Sequence, residues 1–177
     1  MKFSCAAVFC ALALALSGCA GYAWRSSIPQ EKRSVFVGVF KNKSDITGVG
    51  NAVARQVARE FQREGTYRLS TRDSAALEIQ GTVDSVSSSL VALNRQTGYE
   101  HREYRMKGVA RVSFIDRKAR RILVDDRVYN AYATFLKASD MITSKKDASE
   151  RLAEDFARQI ADDALTLNWK EEVENDK

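Results

Sequence analysis

Apolar residues along the chain recur with two periods, and the places where one period gives way to the other predict the elements. Residues 35–40 (VFVGVF) are apolar throughout and flanked by Arg33 and Lys41. A short run of this kind predicts a central strand covered on both faces. Residues 41–50 are a polar, glycine-containing loop. Val49, Val53, Val57 and Phe61 then recur every fourth residue, with Ala54 and Ala58 beside them. That spacing predicts an amphipathic helix closed by Gly65.

Alternation takes over at Leu77, Ile79, Gly81 and Val83, with Glu78, Gln80, Thr82 and Asp84 between them. This predicts a half-buried strand running on through a serine-rich stretch towards Leu93, before a loop at Thr97-Gly98. Tyr104, Met106, Ala110, Val112 and Phe114 share one face of a following strand, and Arg105, Lys107, Arg111 and Ser113 share the other. Residues 116–120 form a charged turn, and 122–133 return as the second arm of a hairpin. Ala148, Leu152, Phe156, Ile160 and Ala164 mark a second helix. Overlapping capping boxes start it near Ser144 or Asp147, and it ends near Trp169. The expected fold is α+β: a mixed four-stranded sheet with two helices packed on it, in the order βαβββα, as one domain over residues 34–169. The first strand–helix–strand unit is a right-handed crossover if its strands are parallel. Residues 170–177 are an acidic tail expected to fray.

The start of the chain follows a different logic. Lys2 precedes an apolar run over residues 3–16. As a helix that run spans about 21 Å, short of a hydrocarbon core of about 30 Å, so it fits a secretory signal and not a membrane span. Leu16-Ser17-Gly18-Cys19 is a lipobox: small residues admit a peptidase, and the Cys19 thiol can form a thioether to diacylglycerol. Residues 1–18 are the expected signal peptide, removed on maturation, and residues 19–33 a lipidated tether. Ala20 replaces the aspartate that often retains such proteins in the inner membrane. The expected location is therefore the periplasmic side of the outer membrane, with the lipid on Cys19 as anchor.

Composition then narrows the chemistry. Of three cysteines, Cys5 and Cys10 leave with the signal and Cys19 is lipidated, so no thiol remains for a disulfide, a metal or nucleophilic catalysis. His101 is the one histidine, with no nucleophile in a tight elbow to serve. No metal-ligand spacing occurs. Gly48-Val49-Gly50 is a fragment of a dinucleotide fingerprint lacking its third glycine, and a flexible loop accounts for it better. A non-enzymatic protein without cofactor is expected.

The formal net charge is +5 and the C-terminal segment is acidic, so the folded part is the more basic. Such a balance favours anionic partners; the compartment excludes nucleic acid and offers lipopolysaccharide. Arg55, Arg59 and Arg63 line one helix stripe, a solvated face in the plainer account. Arg105 and Lys107 on the strand, with Arg117, Lys118, Arg120 and Arg121 around the turn, form the stronger candidate for binding lipid phosphates. The competing expectation is that Glu78 and Asp84 pair with these cations across the sheet.

The order and spacing of several elements resemble the LptE family, the lipoprotein subunit of the lipopolysaccharide translocon. They are Leu16-Ser17-Gly18-Cys19 with Gly21-Tyr22, Ile28-Pro29, the strand from Ser34 to Phe40 running into Lys41-Asn42-Lys43-Ser44, Glu60-Phe61 with Gly65, and Tyr67-Arg68-Leu69. Residues 76–81, Glu103-Tyr104-Arg105-Met106, Phe114-Ile115-Asp116 and a final helix closing at Trp169 complete the pattern. Together they cover about residues 16–169. The resemblance implies a protein that plugs and helps assemble an LptD-like β-barrel and binds lipopolysaccharide for delivery to the outer leaflet. It transfers no catalytic motif. The alternative is a lipoprotein regulator of a periplasmic partner such as a peptidoglycan synthase.

Overall fold

The structure, a computed structural model, describes residues 28–94, 101–136 and 140–169. Cys19, the signal segment, the tether up to residue 27, the turn at Thr97-Gly98 and the acidic tail lie outside them. A 3-10 turn (Gln30–Lys32) leads into β1 (Ser34–Val37) and the two-residue β2 (Lys41–Asn42). Helix α1 (Val49–Glu64) and the two-residue β3 (Arg68–Leu69) follow. Then come three long strands, β4 (Leu77–Asn94), β5 (His101–Asp116) and β6 (Arg121–Leu136), and finally helix α2 (Met141–Leu165). The strands form one mixed sheet in the order β3-β1-β4-β5-β6, with β2 also paired to β4. β1 runs parallel to β3 and β4, while β4, β5 and β6 form an antiparallel meander. The expected α+β order βαβββα holds, with two short strands added.

Both helices sit on one face of the sheet. The Val49, Val53, Val57 and Phe61 stripe of α1 and the Ala148, Leu152, Phe156, Ile160 and Ala164 stripe of α2 are all buried. They meet Leu77, Ile79 and Val83 of β4, Met106, Ala110, Val112 and Phe114 of β5, and Tyr129, Ala131 and Ala133 of β6. Gly65 closes α1 with φ 83°, its amide donating to the Phe61 carbonyl at 3.1 Å. Just beyond, Tyr67 sets its ring edge-on to Phe61 and donates its hydroxyl to the Ala164 carbonyl at 2.9 Å, tying the two helix ends together.

Three boundaries depart from expectation. The apolar run 35–40 is not one strand covered on both faces: β1 stops at Val37, Phe36 and Val37 are half-buried, and Val39 is 77% exposed. Val35 and Phe40 are both buried, which the two-residue period of a strand forbids, so the phase must break between them, and it breaks at Gly38. Helix α2 begins a turn earlier than Ser144, because Asp140 caps it: its carboxylate accepts the Ile142 amide at 2.9 Å and the Thr143 hydroxyl. It also ends earlier, at Leu165 with Thr166 as cap, and Trp169 packs back as irregular chain.

The Gly48-Val49-Gly50 segment is no flexible loop. It opens α1, and a Cβ on Gly50 would lie 2.3 Å from the Phe40 carbonyl oxygen. The glycine is required by close packing of the helix start on the β1–β2 link.

Candidate binding surfaces

The face of the sheet opposite the helices has no second layer among the described residues, and the predicted cations lie along it. Near the β1 end, acids answer them. Glu78, 2% exposed, accepts Arg117 at 2.5 Å, Gln80 at 2.8 Å and Arg72 at 3.0 Å. Burial alone would push the Glu78 carboxyl up; the Gln80 and Arg117 hydrogen bonds and the two guanidinium charges outweigh it and hold the group below the ordinary glutamate range. Asp84 takes Arg111 in a two-bond fork at 2.8 and 2.9 Å, which holds its carboxyl low as well. A cleft of about 430 Å³ lies between these pairs, lined by Val39, Lys41, Arg72, Glu78, Arg111 and Asp126 among others. Its walls are of mixed charge, and Arg72 and Arg111 are already engaged by Glu78 and Asp84.

The β5–β6 turn is built by Asp116. One carboxylate oxygen accepts the Lys118 and Ala119 amides at 3.0 and 3.1 Å; the other accepts Lys32 at 2.6 Å. Burial opposes ionisation here too, and the Lys32 and backbone donors overcome it, keeping Asp116 below the usual aspartate range. Of the four turn cations, Arg117 is held by Glu78 and Arg121 donates to the Trp169 carbonyl at 3.2 Å. Lys118 reaches the Glu31 carbonyl at 3.3 Å. Arg120 is exposed, in a left-handed conformation with φ 54°.

The other end of the hairpin differs. Arg105 and Lys107 are exposed on the outer face, opposite Thr134 and Tyr132 of β6, and have no ion-pair partner among the described residues. Lys107 Nζ lies 6.0 Å from the Tyr132 ring centre. Val128, Tyr132 and Leu136 share this face of β6, all more than half exposed or at that level. The result is two free cations beside an open apolar row.

The six predicted lipopolysaccharide contacts therefore do not form one site. Twelve residues of extended strand separate Arg105 from Arg117, roughly 40 Å at strand rise. Arg105 and Lys107 form one group; Arg117, Lys118, Arg120 and Arg121 form another, partly committed to holding the turn. The expected pairing with Glu78 and Asp84 accounts for Arg117 and Arg111. In the α1 row, Arg55 pairs with Glu150 of α2 at 3.1 Å and Arg63 with Glu60 at 2.5 Å. His101 is the first residue of β5. No cluster of three or more His, Cys, Asp or Glu placed to hold a metal occurs among the described residues. Tyr132 and the outer row of β6 were missed as site residues, although the alternation of Val128, Asn130, Tyr132, Thr134 and Leu136 was there to read.

Solved structures align with this chain at low identity. A hypothetical protein from Chlamydia trachomatis aligns with a TM-score of 0.54 at 10% identity, over 76% of this chain and 96% of its own. A neuraminyllactose-binding hemagglutinin homologue from Helicobacter pylori aligns with a TM-score of 0.50 at 12% identity, over 77% and 84%. A minor lipoprotein from Acinetobacter baumannii covers 77% and 96% at 10% identity, with a TM-score of 0.45. No curated protein sequence matches. The model of the LptE family, described as lipopolysaccharide-assembly, matches residues 33–166, from just before β1 through the end of α2. With so much of the domain matched, the chain belongs to the LptE family of lipopolysaccharide-assembly proteins.

Proposed function

We propose that this chain is the lipid-anchored subunit of a lipopolysaccharide translocon. It sits in and helps assemble an LptD-like β-barrel, and it binds lipopolysaccharide on its way to the outer leaflet without catalysing a reaction. The observation that carries the reading is the family match over nearly the whole domain. The lipobox at Cys19 supports an outer-membrane anchor, and no helix among the described residues is long and apolar enough to cross a membrane.

Arg105 and Lys107 are the better of the two cation groups for the lipid. Their charges are uncompensated, and Tyr132 and Leu136 beside them offer apolar surface. That combination suits a phosphorylated sugar carrying acyl chains: guanidinium and ammonium donate to phosphate, and hydrocarbon covers the apolar row. The test is a lipopolysaccharide titration of the full processed chain in detergent at two salt concentrations. Arg105→Gln with Lys107→Gln is expected to weaken binding at least tenfold, since a charge-assisted hydrogen bond contributes about 1.5–3 kcal/mol. Lys118→Ser with Arg120→Ser is expected to change it less. Salt weakens the wild-type interaction. Unchanged affinity in the first variant with folding intact moves the site to the turn. Affinity purification from solubilised outer membrane tests the barrel: a soluble periplasmic protein in its place would favour the regulator alternative.

A further inference from the structure

The two long edges of the meander are treated differently. β6 is an edge strand, and α2 covers it. Gln159 donates to the Asn130 carbonyl at 3.1 Å, the Tyr132 amide donates to Asp155 at 3.0 Å, and Arg151 donates to the Thr134 carbonyl at 2.9 Å. These three side chains, four residues apart on the helix, occupy backbone groups that would otherwise recruit another strand. On the opposite side, β1 and β2 accompany β4 only as far as Val83; the last bond is from the Lys43 amide to the Val83 carbonyl at 2.9 Å. Beyond that point β4 continues to Asn94 with β5 on one side and, among the described residues, no strand on the other.

The β6 contacts also fix which β4 groups are free. Asn130, Tyr132 and Thr134 turn their backbone outward, so Ala131 and Ala133 bond to Gly108 and Met106. Val109, Lys107 and Arg105 then bond to Ser85, Ser87 and Ser89 of β4, which leaves the amides and carbonyls of Val86, Ser88 and Leu90 aimed away from the sheet. Irregularities at 83/85 and 90/92 bracket this stretch, and between them the ladder is regular. Residues 85–90 (SVSSSL) hold no charge, proline or glycine, the devices that normally blunt an edge. We infer that residues 85–90 of β4 form a strand-addition site for an extended, acidic segment of another polypeptide.

Charge selects the occupant. The nearest outer-face charges along this stretch are Lys107 opposite Ser87 and Arg105 opposite Ser89, both exposed and without an ion-pair partner among the described residues. A second copy of the chain would set the same two cations one strand back on each side of the seam, with no charge attraction between them. An incoming strand with acids on its outer face and apolar residues on the helix side, towards half-buried Val86 and exposed Leu90, meets both requirements. The inference does not depend on which envelope machine the protein serves.

The experiment follows amide exchange at Val86, Ser88 and Leu90 in the full processed chain in detergent micelles. The probe is a capped octapeptide of alternating Val and Glu; the control alternates Val and Lys. The Val-Glu peptide is expected to slow exchange at these three amides at least tenfold, and the Val-Lys peptide to leave them unchanged. Ser88→Pro removes one outward amide and no bond to β5, so it is expected to abolish the protection while β5 amides stay protected. Ser87→Glu with Ser89→Glu, which touches no backbone group, is expected to reverse the peptide preference. Absence of protection at saturating peptide overturns the proposal, as does equal protection by both peptides. Protection that grows with protein concentration without peptide overturns it in favour of a second copy.

Discussion

At the scale of single residues, ionisable side chains are used here mainly as fasteners. Glu78 and Asp116 are both almost fully buried and both ionised, each surrounded by donors. Their carboxyls titrate below their ordinary values in the folded protein, so their contribution to stability is complete above the unfolded value near 4 and is lost as pH falls through the lower folded values. Urea midpoints measured from pH 7 to pH 3 are expected to fall steadily at the acid end. Glu78→Gln is expected to flatten that fall and to cost about 1–2 kcal/mol at pH 7, because Arg72 and Arg117 lose their charge partner while remaining partly in water. An unaltered pH profile would mean that Glu78 is not the fastener. Arg120 is the converse case. Its left-handed backbone costs a non-glycine residue about 1 kcal/mol, so Arg120→Gly is expected to raise the melting temperature slightly, and a fall would show that its side chain holds the turn.

Elements are specified by their stripes and by what they cover. Phe156 is fully buried in the middle of α2, directly over Gly108 of β5, where a Cβ would come within 2.8 Å of its ring. Phe156→Ala is expected to cost about 3–5 kcal/mol, and Gly108→Val about 1–3 kcal/mol by overpacking the same contact. Denaturant unfolding measures both; a Phe156→Ala loss under 1 kcal/mol would contradict the assigned helix face. The outer stripe of α2 has a separate task. Replacing Arg151, Asp155 and Gln159 by Ala leaves the helix formers in place and frees the β6 edge. The variant is expected to fold and to self-associate, visible as a rise in light scattering with protein concentration. If it stays monomeric, the helix is not the guard of that edge.

For the whole molecule, anchoring and folding are expected to be separable. The lipobox precedes the described domain, and the family match begins only at residue 33. Cys19→Ala is therefore expected to leave an unprocessed or mislocalised precursor whose domain retains its melting temperature. Metabolic lipid labelling and membrane fractionation read the outcome, and normal labelling of that variant would remove Cys19 as the anchor. The domain presents two unlike surfaces: a helical face closed by internal pairs such as Arg55–Glu150, and an open sheet face. The long meander carries the second well beyond the reach of β1 and β2, so contacts with a barrel or a glycolipid are expected on the sheet side.

Periodicity is a local property, and it settled much of this protein before any tertiary contact was considered. The fourfold spacing from Val49 to Phe61 and from Ala148 to Ala164, the alternation from Leu77 and from Tyr104, the Gly65 stop and the lipobox are all written in neighbouring residues. Strand phase within 35–40 was not, because burying Phe40 in place of Val39 depends on the core beneath it. Nor was the fate of the cations. Arg105, Lys107 and Arg111 alternate alike along β5 and Arg117 follows in the turn; the pairing of β5 with β4 brings Asp84 to Arg111 and Glu78 to Arg117 diagonally across the two strands while leaving the first two open. Strand pairing also left the β4 edge bare at residues 85–90, since an unpaired edge is a relation between strands and has no mark in the residues that form it.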